Sequence, residues 1–306
     1  MDNRVMSSVA ASTAAVIVAY HPRQDLTPLL QSLRMAVGRV VVVDNSCPPH
    51  AALPDWAAAA GALWLGAGNV GGLAGAYNKA LALLQSDAAV RHVVFVDEDS
   101  DTSVLRSFLA DGCNAELLSR PDTAAIAPAY RDRATAMRAR YMRLQRWRLS
   151  YLPRQFEHVE AVAFVINSMS VWRRDALRRL GRFDEQLAID HVDTDYCLRA
   201  RHAGLRLYVN GRFEFAHSIG ERRRYRLFGR ELQAGGHSAD RRRLIARNTV
   251  RLARAECLRL PAFGFLCLTR LAYELAGILM AEPQKWTKAM ALLRGAASGM
   301  WAARLR

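Results

Sequence analysis

The sequence predicts an α/β fold: a mixed, mostly parallel central sheet flanked by helices, with a C-terminal helical extension. Apolar runs of strand length alternate with helix-length segments, several of these runs end in acidic or polar residues, and strand-like runs cease near residue 240. Alternating strands and helices are typical of parallel sheets with right-handed crossovers. We therefore expect a sheet domain at residues 14–240 and a helical region at residues 241–306.

Each predicted strand is a short apolar run bounded by polar, glycine or proline residues. The strands fall at residues 14–20, 40–43, 63–65, 93–96, 124–127, 159–166 and 205–209. Predicted helices cover residues 27–37, 57–60, 102–119, 177–180 and 193–203, and another runs from the glycine-rich turn at 66–75 to about Leu84. We expect a loose tail at residues 1–13, a basic excursion over the active-site face at 128–158 and an arginine-dense loop at 218–243.

The amino-acid composition limits the classes of protein to which this chain can belong. Half of the 306 residues are apolar, which excludes a disordered chain. The net charge of +15 comes almost entirely from arginine and points to an anionic partner: a nucleoside diphosphate, anionic lipid or nucleic acid. Five scattered cysteines without a C-x-x-C pair argue against a disulfide framework or zinc knuckle and favour reduced thiols in the cytoplasm. We expect no signal peptide, because no apolar segment with a cleavage site precedes residue 16.

The most informative stretch is the apolar run at 93–96, which ends in Asp97, Glu98, Asp99 and Ser100. In open α/β sheets, ligands bind at the carboxyl ends of strands. Asp97 and Asp99 stand two residues apart and can share a hard cation, Mg²⁺ or Mn²⁺, that would bridge to phosphate oxygens. Helix capping by Ser100 or Asp101 is the alternative explanation, but capping accounts for one acid and not three.

Two further motifs have competing interpretations. Asp44 ends the second strand, where a carboxylate can accept the imide N–H of a pyrimidine base or simply cap a turn. Gly66-x-Gly68-x-x-Gly71 formally fits the dinucleotide fingerprint, but a Rossmann protein carries that fingerprint after its first strand, which here ends at Tyr20. We favour backbone packing beneath a nucleotide over NAD binding.

Five blocks of sequence together resemble a known family. They are VVVDNS at 41–46, NVGGLAGAYN at 69–78, FVDEDS at 95–100, GRFDE at 181–185 continuing through DHVDTDYCLR at 190–199, and HSIG at 217–220. In order and spacing they resemble inverting glycosyltransferases of family 2, which have the GT-A fold. Within that family they are most similar to bacterial rhamnosyltransferases that use dTDP-L-rhamnose.

The resemblance implies a set of site residues. Nucleotide contacts would come from Tyr20, Asp44, Asn69, Gly71, Asn78 and Asp97; metal ligands would be Asp97, Asp99 and His217; Asp190 and Asp195 would contact acceptor or sugar; Arg222 and Arg224 are candidates for the diphosphate. The catalytic base would be Asp193. The family has a Glu where this chain has Val192, so the choice between Asp193 and Asp195 stays open.

The resemblance also implies partners. The donor would be dTDP-L-rhamnose, or alternatively another UDP- or GDP-sugar, and the acceptor a cell-surface polysaccharide or lipid-linked glycan. The charge alone suggests a nucleic-acid-binding protein, but acids at several strand ends would repel a phosphate backbone, so we expect no nucleic acid. Residues 258–280 are interrupted by Arg259, Pro261, Arg270 and Glu274, which argues against a spanning helix. Amphipathic helices there would pack on the core, join a homo-oligomer or lie on the inner face of the cytoplasmic membrane.

Overall fold

The structure, a computed structural model, describes residues 7–218, 223–227 and 230–302, and for residues 223–227 and 230–234 it describes the backbone alone. In chain order the described elements are α1 (Ser8–Ala11), β1 (Thr13–Ala19), α2 (Thr27–Ala36), β2 (Arg39–Asp44), α3 (Leu53–Ala59), β3 (Leu63–Gly66), α4 (Gly72–Leu84), β4 (His92–Asp97), α5 (Leu105–Ala110), α6 (Gly112–Ser119), β5 (Thr123–Asp132), β6 (Met142–Leu144), β7 (Leu149–Tyr151), β8 (Val159–Val162), β9 (Val171–Arg173), α7 (Arg174–Leu180), a 3₁₀ turn (Glu185–Leu187), α8 (Val192–His202), β10 (Arg206–His217), β11 (Arg223–Leu227), β12 (Arg230–Ala234), α9 (Ala239–Glu256), α10 (Pro261–Ala281) and α11 (Lys285–Trp301).

The chain divides into two units. The first consists of residues up to His217, without two short segments, Arg133–Thr135 and Met142–Leu152, which belong with Ser218–Arg306 in the second unit. The long segment of the second unit begins at Ser218. The division into a sheet domain and a helical region near residue 240 stays a prediction. The predicted arginine-dense loop contains an antiparallel hairpin, β11 with β12, and this hairpin groups with the helices that follow.

The first unit is organised around an eight-stranded sheet in the order β3-β2-β1-β4-β9-β5-β10-β8. β9 and β8 run antiparallel to their neighbours, and the other pairings are parallel. This confirms the predicted mixed, mostly parallel α/β sheet. β1 after Thr13, and β2 between Arg39 and Asp44, are continuous apolar runs because strands near the middle of such a sheet are covered on both faces.

The parallel register brings the strand ends to one edge. Ala19 of β1 pairs with Asp44 of β2, and Val18 of β1 pairs with Asp97 of β4. Two acids that are distant in sequence therefore end the two strands that flank β1, at the same carboxyl edge. The position expected to bind a ligand in an open α/β sheet is thus lined with carboxylates.

Several local predictions in the first unit were wrong, among them the strand predicted at 159–166, which ends at Val162, and one strand was missed. Residues 7–13 are not a loose tail, because the Ser7 hydroxyl caps α1 by accepting from the Ala10 N–H and Val9 is buried. The helix predicted at 102–119 breaks at Asp111, whose extended backbone and side chain cap α6. β9 went unpredicted because three residues give no periodicity. β10 extends to His217 instead of ending near residue 209, with an irregular register between Asn210 and Glu214.

Helices dominate the second unit, where α11 packs against α9 through glycines. A Cβ on Gly295 would lie 2.2 Å from the Arg243 carbonyl oxygen, and a Cβ on Gly299 would lie 2.6 Å from that of Arg247. Such separations exclude a side chain, so the two glycines, four residues apart on one face, allow the two helices to touch through their backbones.

A buried ion cluster joins the three helices. Arg242 of α9 bonds Glu274 of α10 and also Glu282, and Lys288 Nζ of α11 lies 2.8 Å from Glu282 Oε2. Burial disfavours the Glu282 charge, but the hydrogen bond from Lys288 and the charge of Arg242 outweigh it and hold the pKa of Glu282 below its usual value. The cluster therefore fixes one face of α10 inside the bundle.

The sequence-based expectation that charged residues and a proline within 258–280 exclude a membrane-spanning helix was wrong as far as the length and composition of α10 are concerned. Arg259 lies before the helix and Pro261 occupies its first position, where proline is tolerated. Among the described residues, α10 is the helix long and apolar enough to cross a membrane, judged by length and composition alone. The same test is passed by core helices of soluble proteins, although only 22 % of the most apolar window of α10 is buried.

Candidate active site

Asp97, the last residue of β4, is held in a tight turn at the carboxyl edge. Its backbone N–H donates to Ser100 Oγ at 3.2 Å, and Ser100 Oγ lies 2.8 Å from Ser168 Oγ. Asp101 Oδ1 accepts from the Ser103 N–H at 3.0 Å. Turn capping therefore accounts for Asp101 and leaves the carboxylates of Asp97 and Asp99 available for other chemistry.

Negative charge accumulates around Asp97. The side chain of Asp97 is 37 % exposed. Surrounding protein atoms keep water from the rest of its carboxylate, and this burial raises the pKa of Asp97. His217 opposes this rise in pKa, whereas the charges of Asp99 and Asp193 add to it. Carboxylates that raise one another's pKa are stabilised in the ionised form by a bound cation.

His217 approaches Asp97 from the end of β10, with its Nδ1 4.0 Å from Asp97 Oδ2. The His217 side chain is only 14 % exposed, and its Nδ1 is buried without a hydrogen-bond partner in the described part of the chain. The ring of Tyr130 packs edge-on against it, with the ring centroids 5.6 Å apart. An unsatisfied imidazole nitrogen facing a carboxylate is suited to binding Mg²⁺ or Mn²⁺.

The three predicted metal ligands are only partly assembled. Asp97 and His217 form a pair, and Asp99 is close enough to affect the pKa of Asp97. Within residues 7–218, 223–227 and 230–302 no group of three or more His, Cys, Asp or Glu side chains is already arranged around a common point. The donor types fit a divalent cation, and Asp99 is the ligand that would have to close on it.

The two candidate bases at the start of α8 have different surroundings. Asp195 is buried, with Oδ2 2.9 Å from Arg199 one turn later in the same helix. Asp193 is half-buried, and its charge helps to raise the pKa values of Asp97 and Tyr77. Its Oδ1 accepts from the Thr194 N–H at 2.7 Å. Asp193 is thus the acid that belongs with the β4 carboxylates, while Asp195 is engaged in an ion pair.

Sequence reasoning missed Tyr77 and Asn167. Tyr77 is 1 % exposed on α4; burial and then the charges of Asp97 and Asp193 raise the pKa of its phenol well above the usual value. Asn167, 6 % exposed, hydrogen-bonds the Tyr77 hydroxyl, and its own Oδ1 has no partner within the described ranges. The only cue to Tyr77 was its place in the 69–78 block.

Asp44 takes the turn-capping role that competed with base recognition. It is 1 % exposed, its Oδ1 accepts from the Ser46 N–H at 3.0 Å, and its Oδ2 accepts from the His50 N–H at 2.8 Å. Asn69 Oδ1 accepts from Asn45 Nδ2 at 3.2 Å in the neighbouring loop. Both oxygens of Asp44 are therefore committed to shaping the turn, so a base contact would have to share one of them.

Tyr20 remains the more accessible of the predicted nucleotide contacts. Its side chain is 53 % exposed at the end of β1, and its backbone N–H donates to Glu98 Oε2 at 3.0 Å. That hydrogen bond ties the end of β1 to the acidic turn after β4. An exposed aromatic ring beside this turn is available to stack on a base.

The glycine-rich loop packs against the segment 183–188. Cβ atoms on Gly71 and Gly72 would meet Glu185 and the Ala188 carbonyl, each at 2.7 Å, and both glycines have positive φ.

Asn78, predicted to contact the nucleotide, instead donates to the Phe183 carbonyl and to Glu185 Oε1 and accepts from the Phe183 N–H. These residues support the segment that leads into α8, and thereby position Asp193.

The remaining predicted contacts are placed only in part. Asp190 is half-buried, one residue before the left-handed residue His191 at which α8 begins. Arg222 lies outside the described residues, and for Arg224 the structure describes the backbone in β11 alone. The diphosphate contacts predicted for these arginines stay predictions.

Comparison with solved structures finds the same fold in the crystal structure of GalNAc-T7 with UDP, GalNAc and Mn²⁺, at a TM-score of 0.52 and 14 % sequence identity. The match covers 80 % of this chain and 48 % of the other, so this chain spans about half the length of that GalNAc-T7 chain. No protein-family model matches the sequence, and no curated protein matches it significantly.

Two further solved structures are more distant. A mycobacterial protein matches at a TM-score of 0.45 and 15 % identity, over 78 % of this chain and 75 % of its own. Glucosyl-3-phosphoglycerate synthase from Mycobacterium tuberculosis, in complex with Mg²⁺ and UDP, matches at 0.31 and 17 % identity, over 40 % of this chain and 47 % of its own. TM-scores below 0.5 support no inference about this chain. The sheet order and the GalNAc-T7 match together establish the GT-A fold.

Proposed function

We propose that this chain is a metal-dependent, inverting glycosyltransferase that takes a sugar from a nucleoside diphosphate. The observation that carries the proposal is the pair of Asp97 and His217 at the carboxyl edge of the sheet, with Asp99 and Asp193 near enough for their charges to raise the pKa of Asp97. A GT-A fold shared with a protein crystallised with UDP, GalNAc and Mn²⁺ supports it. So does the resemblance of the five sequence blocks to family 2.

Asp97, Asp99 and His217 would hold the cation. When bound, the cation would supply positive charge against the negative charge that develops on the leaving diphosphate. Tyr20 would stack on the base, and the hydrogen bond from its N–H to Glu98 keeps it beside the metal turn.

Asp193 would act as the base. In an inverting transfer, one carboxylate accepts the proton of the acceptor hydroxyl while the oxygen attacks C1 from the side opposite the diphosphate. Asp193 is half-buried and near Asp97, as this role requires, whereas Asp195 already pairs with Arg199. The open acceptor Oδ1 of Asn167 would take a hydrogen bond from a hydroxyl of the bound sugar or acceptor.

The donor we favour is dTDP-L-rhamnose, with a cell-surface polysaccharide or lipid-linked glycan as acceptor. This rests on the sequence blocks at 95–100, 190–199 and 217–220. The alternative is a family 2 enzyme that uses another UDP- or GDP-sugar. We place the enzyme in the cytoplasm or at the inner face of the cytoplasmic membrane, where such donors are made.

A donor screen tests the proposal. Release of nucleoside diphosphate is measured with Mn²⁺ present, across dTDP-rhamnose, UDP-glucose, UDP-galactose and GDP-mannose. We expect dTDP-rhamnose to be hydrolysed fastest and EDTA to stop the reaction. If a UDP- or GDP-sugar is turned over fastest, that sugar replaces rhamnose as the proposed donor and the glycosyltransferase assignment stands. If no donor is bound or turned over, the proposal is contradicted.

A further inference from the structure

A stripe of uncharged side chains runs along the outer face of α10. Its members recur every three or four residues and lie on one side of the helix. They are Phe265, Leu268, Thr269, Ala272, Tyr273, Ala276, Leu279 and Met280. Phe265 is 68 % exposed and Leu268 is 66 % exposed. The hydroxyl of Thr269 donates to backbone carbonyls one turn back, at 3.1 and 2.9 Å, so the stripe tolerates an apolar environment.

The opposite face of α10 is anchored in the helical bundle of the second unit. Phe263, Cys267 and Ile278 are buried there, and Glu274 pairs with the fully buried Arg242. Turning the stripe inward would expose these apolar residues and break the ion pair. The stripe is therefore a stable outer surface and not one side of a loosely packed helix.

A second stripe of the same kind lies on α11. Its members are Trp286, Met290, Leu293, Ala297, Met300 and Trp301, again on one side of the helix. The two tryptophans stand at its ends and are 78 % and 90 % exposed. Exposed Trp side chains at helix ends are characteristic of proteins that contact the membrane–water interface.

Positive charge borders both stripes. Arg259 and Arg270 are exposed beside the stripe on α10, and Lys285 and Arg294 beside the stripe on α11. The acids Glu274 and Glu282 are withdrawn into the buried cluster. A second copy of this chain would bring its own positive residues against the positive residues that border the stripes and be repelled. An anionic lipid surface carries the opposite charge and complements them.

We propose that the stripes on α10 and α11 bind the surface of a bilayer that contains anionic phospholipid, with α10 lying in the headgroup region. α10 is long enough to cross a bilayer, but crossing would move Glu274 and its partner Arg242 towards the hydrocarbon centre, where charged groups are costly. Lying on the surface buries the uncharged stripe and leaves the ion cluster in the protein. This surface is independent of the proposed sugar transfer.

Flotation with vesicles tests the proposal. The full chain is mixed with vesicles of phosphatidylglycerol and phosphatidylcholine, or of phosphatidylcholine alone, and the bound fraction is measured. We expect binding to the anionic vesicles, weaker binding in high salt, and at least about a tenfold loss of affinity in the double variant Phe265→Glu, Leu268→Glu. The control is Met35→Glu, which places one glutamate at a 68 % exposed apolar position on α2 and should bind like the wild type.

Several outcomes would overturn the proposal. One is a double variant that is folded by circular dichroism and still floats like the wild type. Equal binding to neutral vesicles would contradict the role of charge. Resistance of the bound protein to alkaline carbonate extraction would show a spanning helix. A wild-type dimer that the double variant loses, with no vesicle binding in either, would show that a second copy covers the stripes.

Discussion

The imidazole of His217 and the carboxylate of Asp97 approach to 4.0 Å, although β10 and β4 are separated in the sheet by β9 and β5. The buried Nδ1 of His217 has no hydrogen-bond partner among the described residues. This pair is the part of the predicted metal site that the fold already assembles, and it explains why a histidine more than one hundred residues away in sequence belongs with the acidic turn.

Removal of the imidazole should weaken metal binding directly. We expect His217→Ala to lower Mn²⁺ affinity by at least about tenfold, because even groups that only support a ligand typically contribute 10- to 100-fold. Electron paramagnetic resonance of free Mn²⁺ measures this. His158→Ala is the control, since His158 is exposed and pairs with Glu160. Equal Mn²⁺ affinity in wild type and His217→Ala would rule out His217 as a ligand.

Substitution of Asp193 should lower the catalytic rate, whereas substitution of Asp195 should lower the stability. Asp193→Asn should reduce kcat by about 10²-fold or more with little change in donor affinity, since it removes the proton acceptor. Asp195→Asn should lower the melting temperature by breaking a buried ion pair with Arg199, while keeping much more activity. If Asp195→Asn is instead inactive at unchanged stability, Asp195 is the base and the assignment is reversed.

His92 should make the first unit sensitive to mild acid. Burial, together with the charges of Arg173 and Arg91, lowers the pKa of His92 to about 4. Unfolded histidine binds a proton below about pH 6.5. Between these two values the unfolded state therefore holds more protons, and stability falls as the pH falls, by at most about 1.4 kcal/mol per pH unit for one group.

Urea unfolding at several pH values checks this. His92→Gln should lose less stability than the wild type between pH 6.5 and 4, and the same change at the exposed His158 should leave the wild-type pH dependence intact. Parallel curves for His92→Gln and wild type would show that the His92 environment does not persist in solution.

The glycine contact between α11 and α9 should be intolerant of side chains. Gly295→Val places a Cβ against the Arg243 carbonyl oxygen, so we expect a destabilisation of about 1–3 kcal/mol. Ala297→Val places the same side chain on the exposed side of α11 and serves as control. Valine has a lower helix propensity than alanine and a higher one than glycine, so helix propensity alone would make the control the more destabilised of the two variants. Equal unfolding midpoints for the two variants would mean that the helices do not pack through Gly295.

Much of the sheet was predictable because its strands are covered on both faces. β1, β2 and β4 each contain a continuous apolar run, and the acids that end β2 and β4 stand where the parallel register puts them. The α/β sheet followed from the alternation of strands and helices, and the GT-A fold was implied by the resemblance of the five sequence blocks. The features of the sheet that were not predicted depend on tertiary contacts. β9 is too short to show a pattern in the sequence. The irregular register between Asn210 and Glu214, which lets β10 continue to His217, also leaves no mark in the sequence.

The site shows the same division. Asp97 was proposed because capping does not account for three acids at one strand end, and Asp193 because of the family resemblance; the roles of both stay predictions. Asn78 and Asp44 were assigned to a nucleotide, but their hydrogen bonds to the 183–185 segment and to the turn after β2 depend on chain segments that only folding brings together. Tyr77 is an ordinary aromatic residue in sequence, and its environment becomes unusual only beside two carboxylates.

The central claim is that the turn after β4 holds a cation on which a nucleoside diphosphate binds. Calorimetric titration with dTDP tests it most directly, with Mn²⁺ or with EDTA, in the wild type, Asp99→Ala and Asp101→Ala. Asp101 is a matched control because it lies in the same turn and serves only to accept from the Ser103 N–H. We predict tight binding with Mn²⁺ in the wild type and Asp101→Ala, and loss of it with EDTA or in Asp99→Ala. Equal dTDP affinity with Mn²⁺ and with EDTA would contradict the claim.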